Sequence, residues 1–521
     1  MKAGLIIRTG WILAFVLSGV LVRAELRLPA LFSDHMVMQA MKEVPCWGWA
    51  DPGATVTVTF TDAKTAALFS AKAVADAKGS WRAFLPALRE GMAGTLKIQA
   101  GANHSRVVED VVVGEVWLAS GQSNMTYRLG GPEFPAHVAE LARREVAGVG
   151  DRVRLFVVIQ EGADAPRGDV RGKWIVASNE NMDTLPAVPW NFALALQREL
   201  GGTAGVIVSG RGGTPIESWL PREALDATTV AKTVWKLHDD LVAHYPEAKT
   251  VYDAALAEWR RVNPTPELET RNLASKPTAP YAVDSSKAPV RLFNAMIDGL
   301  MPYAIQGVLW YQGEENSGRA KEYAPLVRAL ITSWRARWGV EWPFYYVELA
   351  NTRAVQTKPS EGGWALIREA QEAALTLPGT SVVTAVDLGD GKIHPWNKKA
   401  VGERLAALAL TDVYGRAGSE VRSPEYAAHE IGGSAVTIRV RHARELRLRG
   451  DGVARGFAIR GSDGVWHWAD VRVEGDQIVA RSDRVSAPVA VRYGWASNPL
   501  LSVENEAGLP LRPFRTDPEA Q

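Results

Sequence analysis

Several kinds of protein are excluded by what this 521-residue chain has little of. It contains one cysteine, Cys46, so no internal disulfide can form. Cys46 stands in the alternating run "VPCWGWA", where it reads as a buried small hydrophobe and not as a nucleophile. Charge of one sign is missing as well: 59 basic residues face 58 acidic ones, a formal net charge of +1. With no basic run either, neither nucleic acid nor an anionic membrane is an expected partner. The longest apolar stretch is the twelve-residue Trp11–Val22, "WILAFVLSGVLV", well short of the roughly 20 residues a membrane span needs. No His-Glu-x-x-His pattern or cysteine cluster suggests catalytic zinc. The glycine-rich "SGRGGTPIES" lacks the Gly-Lys-Ser/Thr end of a phosphate loop. No fixed-period repeat runs through the chain.

What is present is ordinary for a chain with a large core: 47% hydrophobic and 22% charged residues. The length suggests two to four domains at about 150 residues each. Lys2 and Arg8 precede the apolar stretch, and Val22 and Ala24 follow the small-residue cleavage pattern, so residues 1–24 read as a signal peptide. The mature body is therefore expected to be periplasmic or extracellular. Nineteen tryptophans suit a sugar ligand, but an aromatic core in β-rich regions accounts for most of them.

Three regions follow. Residues 25–113 alternate apolar and polar positions around turns such as Pro52-Gly53, which predicts a sandwich-like β domain. Residues 114–420 change character. The apolar runs "EVWLAS", "TAGVIVSG", "AIQGVLWYQG", "PFYYVELAN" and "TSVVTAVDLGD" alternate with helical patterns such as "KKAVGERLAALAL". This predicts an α/β region, a parallel sheet with helices on both faces. Within it, residues 223–290 form a polar, partly helical excursion over the surface. Residues 421–521 return to short alternating strands, a second β region.

In an open parallel sheet, ligands sit beyond the carboxyl ends of the strands. The runs end in Gly121-Gln122-Ser123-Asn124, in Gly212-Gly213-Thr214, in Gln312-Gly313-Glu314-Glu315-Asn316, and in Asp387, Asp390 and His394. A serine, two glycines, amides and a histidine thus arrive at one edge. A serine hydroxyl needs a base to become a nucleophile, and His394 is a candidate. Gly212 or Gly213 would let a backbone N–H approach a developing oxyanion, and Gln312 or Asn316 would add an amide donor. Other readings stay open at this point: Ser123 as a loop hydroxyl, His394 as a cap of a helix starting near Asn397, Glu314 or Glu315 as a glycosidase carboxylate, or a non-catalytic glycan-binding protein.

Those same residues resemble the sialate O-acetylesterase-related family of SGNH hydrolases. "VWLASGQSNM", "GGTPIESW", "WYQGEEN" and "IHPWNKKAVGERLA" are similar to its four site blocks, in order. "LPALFSDHMVMQ", "VRLFNAMIDGL" and "VRYGWASNPLLSVENEAGLPLRPFRTD" extend the similarity over nearly all of the mature chain. The resemblance implies an SGNH-hydrolase-like sheet and an esterase acting on acetylated carbohydrate, sialate or plant cell-wall glycan, without a cofactor. It implies Ser123 as nucleophile and His394 as general base, with the oxyanion held by Ser123, Gly212 and Gln312. Two departures stand out. Many relatives carry an acid three or two residues before the histidine, where this chain has Gly391 and Lys392. Asp390 or a backbone carbonyl is then left to orient the ring. Arg211 stands where relatives often carry tryptophan, and with Asn316 it is a candidate for contact with the substrate.

Overall fold

The computed structural model describes residues 26–517 apart from 103, 132–133, 360–361, 417 and 419. The proposed signal peptide, residues 1–24, lies outside the described residues. No helix among the described residues is long and apolar enough to cross a membrane.

The centre of the fold is a sheet of seven strands: β1 (His104–Gly121), β2 (Val153–Val158), β3 (Gly172–Val176), β4 (Ala204–Gly210), β5 (Gly307–Tyr311), β6 (Phe344–Glu348) and β7 (Thr380–Thr384). Their spatial order is β7-β6-β5-β1-β4-β2-β3. All neighbours are parallel except the antiparallel edge pair β2–β3. Strands β4 and β5 and the second half of β1 are buried over nearly their whole length, which is why they read as continuous apolar runs.

Helices cover both faces, as the alternating pattern predicts. Side chains alternate between faces along a strand, and residues in register share a face. Trp310 is in register with Ser120, three positions from Trp117, so the two indoles point to opposite sides. Trp117 meets Phe192 of the helix Ala187–Leu200, which packs on the helix Lys398–Asp412. Trp310 meets Trp334 of the helix Ala320–Trp338, which packs on Gly363–Gln371.

Strand β1 is unusually long because it serves two neighbourhoods. Its first half pairs antiparallel with Ala93–Ala100, which continues into Thr55–Asp62 and Leu68–Val74. Its second half runs between β4 and β5. The N-terminal β region and the α/β region consequently share one hydrophobic core, and Cys46 is buried in it. Residues 223–290 carry four largely exposed helices, Arg222–Asp226, Ala231–Ala243, Tyr245–Val262 and Pro266–Arg271, anchored by buried Val234 and Trp259.

The C-terminal region folds into antiparallel sheets. One has the order Asp470–Glu474, Gln477–Arg481, Ala435–Arg441, Glu425–Gly432; another joins Trp466–Trp468, Phe457–Gly461, Pro488–Tyr493 and Phe514–Arg515. Its own core includes Val436, Ile438, Ile459, Val491 and Phe514. It docks on the α/β region through arginines. Arg512, 3% exposed, reaches Glu348 at the end of β6, Glu372 and its own region's Glu425. Arg515 forms a bidentate pair with Glu369 at 2.7 Å on both oxygens. From the other side, Arg368 donates across the boundary to the carbonyls of Ala496 and Ser497 and within its own region to those of Leu349 and Ala350.

Candidate active site

Register explains why the motifs converge. Gly121, Gly210 and Tyr311 are in register at the carboxyl ends of three adjacent strands. The segments that follow therefore leave the sheet side by side. Gly121 has φ +134°, and a Cβ there would lie 2.1 Å from the Tyr311 carbonyl oxygen, so only glycine lets the strands come this close. The chain then turns at Gln122 into the short helix Ser123–Thr126. The Gln122 side chain is buried and accepts the N–H groups of Gly313 and Glu315, which ties the serine turn to the loop after β5.

Ser123 is half-buried, and its Oγ lies 2.9 Å from His394 Nε2. The two residues are 271 positions apart in sequence. Gly212 sits against the serine: a Cβ on it would be 3.3 Å from Ser123 Cβ. Its neighbour Arg211 donates its backbone N–H to the Gly121 carbonyl at 3.0 Å and its Nη1 to the Gln160 carbonyl at 2.8 Å. The Tyr127 ring lies 5.3 Å from the imidazole centroid, tilted by 33°, and forms a wall beside it.

The remaining sequence candidates occupy supporting positions. Gln312 is fully buried; its amide nitrogen donates to the Thr214 carbonyl at 3.2 Å and to Asn316 Oδ1 at 2.8 Å. Asn316, equally buried, accepts the Ile216 N–H and donates to Glu217. Together they brace the loop that carries Gly212. Asp390 is exposed, and its carboxylate accepts the Lys392 N–H at 3.1 Å, closing its own turn. Asp387 is held by Arg404 at 2.7 and 2.9 Å, an anchor for the start of the histidine loop. Asn397 does cap the following helix, accepting the Ala400 N–H at 3.4 Å. His394, three residues earlier, faces Ser123 instead.

Three buried polar residues complete the site and were not legible as a group in the sequence. Asn124 donates to Glu314 Oε1 at 2.5 Å and to the Ile393 carbonyl at 3.0 Å, and accepts from Lys398 Nζ at 2.5 Å. One side chain beside the nucleophile thereby grips the residue before His394, the loop after β5 and the helix after the histidine. The ammonium of Lys398 also lies over the rings of Tyr127 and Tyr311, at 5.7 and 5.9 Å. The only hint in the sequence is that all three lie within the site blocks.

Glu314 is buried, and its Oε2 has no hydrogen-bond partner. Burial raises its carboxyl above the ordinary value of 4.5; the Asn124 hydrogen bond and the Lys398 charge oppose that rise without cancelling it. The folded state thus holds this proton more tightly than the unfolded chain does. Its contribution to stability is present below the unfolded value and is lost as pH rises through the raised one. Glu314→Gln removes that titration. The urea midpoint of wild type is expected to fall relative to E314Q as pH is raised from about 4.5 towards 8. Parallel pH profiles would refute it. Because Gln still accepts from Asn124, esterase activity is expected to survive within about tenfold, whereas a glycosidase carboxylate would not tolerate the change.

A serine and a histidine in hydrogen-bond contact, beside a side-chain-free backbone and a buried polar brace, can carry out acyl transfer. Comparison with known proteins points to the same chemistry. Residues 286–411 match the family described as carbohydrate esterase, sialic acid-specific acetylesterase. The chain is 30% identical to the sialate O-acetylesterase of Rattus norvegicus over 437 residues, covering 76% of this chain and 75% of that one. It is 27% identical to the sialate O-acetylesterase of Mus musculus over 519 residues, 91% and 90% of the two chains. Among solved structures, a carbohydrate acetylesterase from Xanthomonas citri superposes with a TM-score of 0.76 at 31% identity, covering 94% of this chain and 99% of that one. A relative at this identity, matched over so much of both chains, fixes the grouping: this chain belongs to the sialate O-acetylesterase-related family of carbohydrate esterases.

Proposed function

We propose that the protein is an exported serine esterase that removes O-acetyl groups from carbohydrate through an acetyl-Ser123 intermediate. The observation that carries this reading is the 2.9 Å contact between Ser123 Oγ and His394 Nε2. The Ser123 hydroxyl donates to the unprotonated Nε2, and its oxygen attacks the acetyl carbonyl as His394 takes the proton. The backbone N–H groups of Ser123 and Gly212 receive the oxyanion, Gly212 because nothing on its Cα blocks the approach to Ser123. His394 then returns the proton to the sugar oxygen, which leaves. Water, deprotonated by the same imidazole, clears the acetyl group as acetate. In this reading Gln312 and Asn316 act by fixing the Gly212 loop, and Asp390 by shaping the turn before the histidine. Residues 114–420 carry the chemistry and the flanking β regions, 25–113 and 421–521, support it. Export rests on the signal-like residues 1–24.

Acetate release from a panel of O-acetylated sialosides, acetylated xylan and acetylated xyloglucan tests the reading and assigns the substrate. Arg211 stands beside the oxyanion glycine, with its backbone fixed to Gly121 and its guanidinium turned to the Gln160 carbonyl. In this reading it recognises a carboxylate or a sugar hydroxyl at the rim. Arg211→Trp is expected to reorder the panel, lowering kcat/KM on its preferred substrate by about tenfold or more. An unchanged ranking would remove Arg211 from substrate recognition.

A further inference from the structure

The sequence run "GWASNP", residues 494–499, lies in the C-terminal β region and has no part in the chemistry above. In the structure it reaches residues 351–353, the segment that holds the histidine loop. That loop spans residues 385–397, between β7 and the helix Lys398–Asp412, with no helix or strand of its own. Its ends are held by Arg404 on Asp387 and by Asn124 on the Ile393 carbonyl. Its middle is held at Gly389 and Gly391 by residues 351–353, the segment that follows β6. Thr352 forms a parallel bridge with Gly391, and the Arg353 N–H donates to the Gly391 carbonyl at 2.7 Å. At Gly389, a Cβ would lie 1.7 Å from Asn351 Oδ1, so the loop presses directly on that side chain.

Segment 351–353 is itself held from the C-terminal region, and Asn498 is the centre of the hold. Asn498 is 6% exposed. Its Nδ2 donates to the Arg353 carbonyl at 2.6 Å, and its Oδ1 accepts from Asn351 Nδ2 at 2.6 Å. The preceding Ser497 carbonyl accepts the Thr352 N–H at 3.1 Å. Buried Arg368 joins the two sides, donating to the carbonyls of Leu349 and Ala350 on one and of Ala496 and Ser497 on the other. Arg353 has φ +71°, in the left-handed region that a side-chain-bearing residue adopts only when its surroundings hold it there. Gly391 has φ +84°, and a Cβ on it would stand 3.2 Å from the Arg353 carbonyl oxygen and 4.0 Å from Asn498 Nδ2.

We propose that Asn498 is a positioning residue for catalysis: through Asn351, the Arg353 carbonyl and Gly391 it sets the loop that aims His394 at Ser123. The C-terminal β region would then complete the active site without touching substrate. The inference rests on the reading of Ser123 and His394 as the reacting pair. A general base must stay within hydrogen-bond reach of its proton, and displacement by about 1 Å can cost about 10²-fold in rate.

The test uses the full chain and four variants assayed on a chromogenic acetyl ester: N498A, N351A, the N351A/N498A double variant, and R515A. R515A breaks another tie of the same region, the bidentate pair with Glu369 and the stacking of the guanidinium over Trp495, while leaving the Asn498 and Asn351 side chains in place. N498A is expected to lower kcat by about tenfold or more while KM stays within about threefold, because the bound ester keeps its contacts and loses only the aim of the base. N351A should do the same, and the double variant should be no worse than the poorer single one, as for residues acting in one chain. R515A should keep wild-type kcat below its melting temperature. The inference is overturned if N498A keeps kcat within twofold, if the loss lies in KM, if R515A loses as much, or if the losses multiply. Should N498A not fold, N351A carries the test alone, and wild-type kcat there overturns it. Ser123→Ala separates the two readings. If it kills activity while N498A is normal, only the positioning role falls; if it leaves activity intact, the reacting pair falls first.

Discussion

Ser123→Ala is expected to lower kcat for acetyl-ester hydrolysis by at least about 10³-fold, some 4 kcal/mol of transition-state stabilisation, with KM nearly unchanged. The magnitude follows from the step removed. Without the hydroxyl no acyl-enzyme forms, and what remains is water attacking an ester that the backbone of Ser123 and Gly212 still polarises. His394→Ala is expected to lose about as much, and the double variant little more, because nucleophile and base act as one unit. Their 2.9 Å contact is the structural statement of that unit. Steady-state kinetics on a chromogenic acetyl ester measures all three. Activity within tenfold of wild type in Ser123→Ala would remove the nucleophile assignment. Thr126→Ala is a useful comparison: its hydroxyl lies on the same short helix but donates to the Ser123 carbonyl at 3.5 Å, a marginal bond whose loss should matter little.

The second large effect is on stability and lies far from Ser123. Arg512→Ala leaves Glu348 buried at the end of β6 without its cation, with Glu372 and Glu425 close by. Attraction to these carboxylates holds the Arg512 guanidinium in its charged form against the cost of burial. Breaking a buried ion pair by removing one partner typically costs about 3–5 kcal/mol, because the remaining charge keeps its desolvation penalty and loses its compensation. Glu348 Oε2 already lacks a hydrogen-bond partner, so the loss of Arg512 adds to an existing deficit. The expected result is an earlier urea transition for undocking of the C-terminal β region, with faster proteolysis at its boundary. Glu348→Gln in the Arg512→Ala background should recover part of the loss, since it removes the stranded charge. An unchanged urea midpoint in Arg512→Ala would mean that the cluster contributes nothing. If the C-terminal region also aims the histidine, Arg512→Ala should lose activity at the temperature where that region comes free.

Much of this was legible before any coordinates. The apolar runs at β1, β4 and β5 are long enough to mark buried parallel strands, and the polar residues behind them mark one edge of the sheet. That logic places Ser123, Gly212, Gln312 and His394 at one end of the molecule, and the structure brings Ser123, Gly212 and His394 into contact. It cannot say which side chains point inward, because loop residues have no fixed period. Gln312 was expected to donate an amide to the oxyanion; its nitrogen donates to Thr214 and Asn316 instead. Glu314 could be read only as a candidate glycosidase carboxylate, since its partners Asn124 and Lys398 lie 190 residues before it and 84 after it.

By itself the sequence determined the α/β pattern, the order of the site blocks, the family resemblance and the candidates Ser123 and His394. These depend on residue type and on periodicity along the chain, which local sterics and burial impose directly. Only the tertiary structure decided the rest: that β1 joins the N-terminal sheet to the parallel sheet, that Asn124 joins Lys398 to Glu314, and that Asn498 reaches segment 351–353 beside the loop of His394. Each of these is a contact between segments far apart in sequence. Such contacts are fixed by packing and by the pairing of buried polar groups, which no stretch of the chain can satisfy alone.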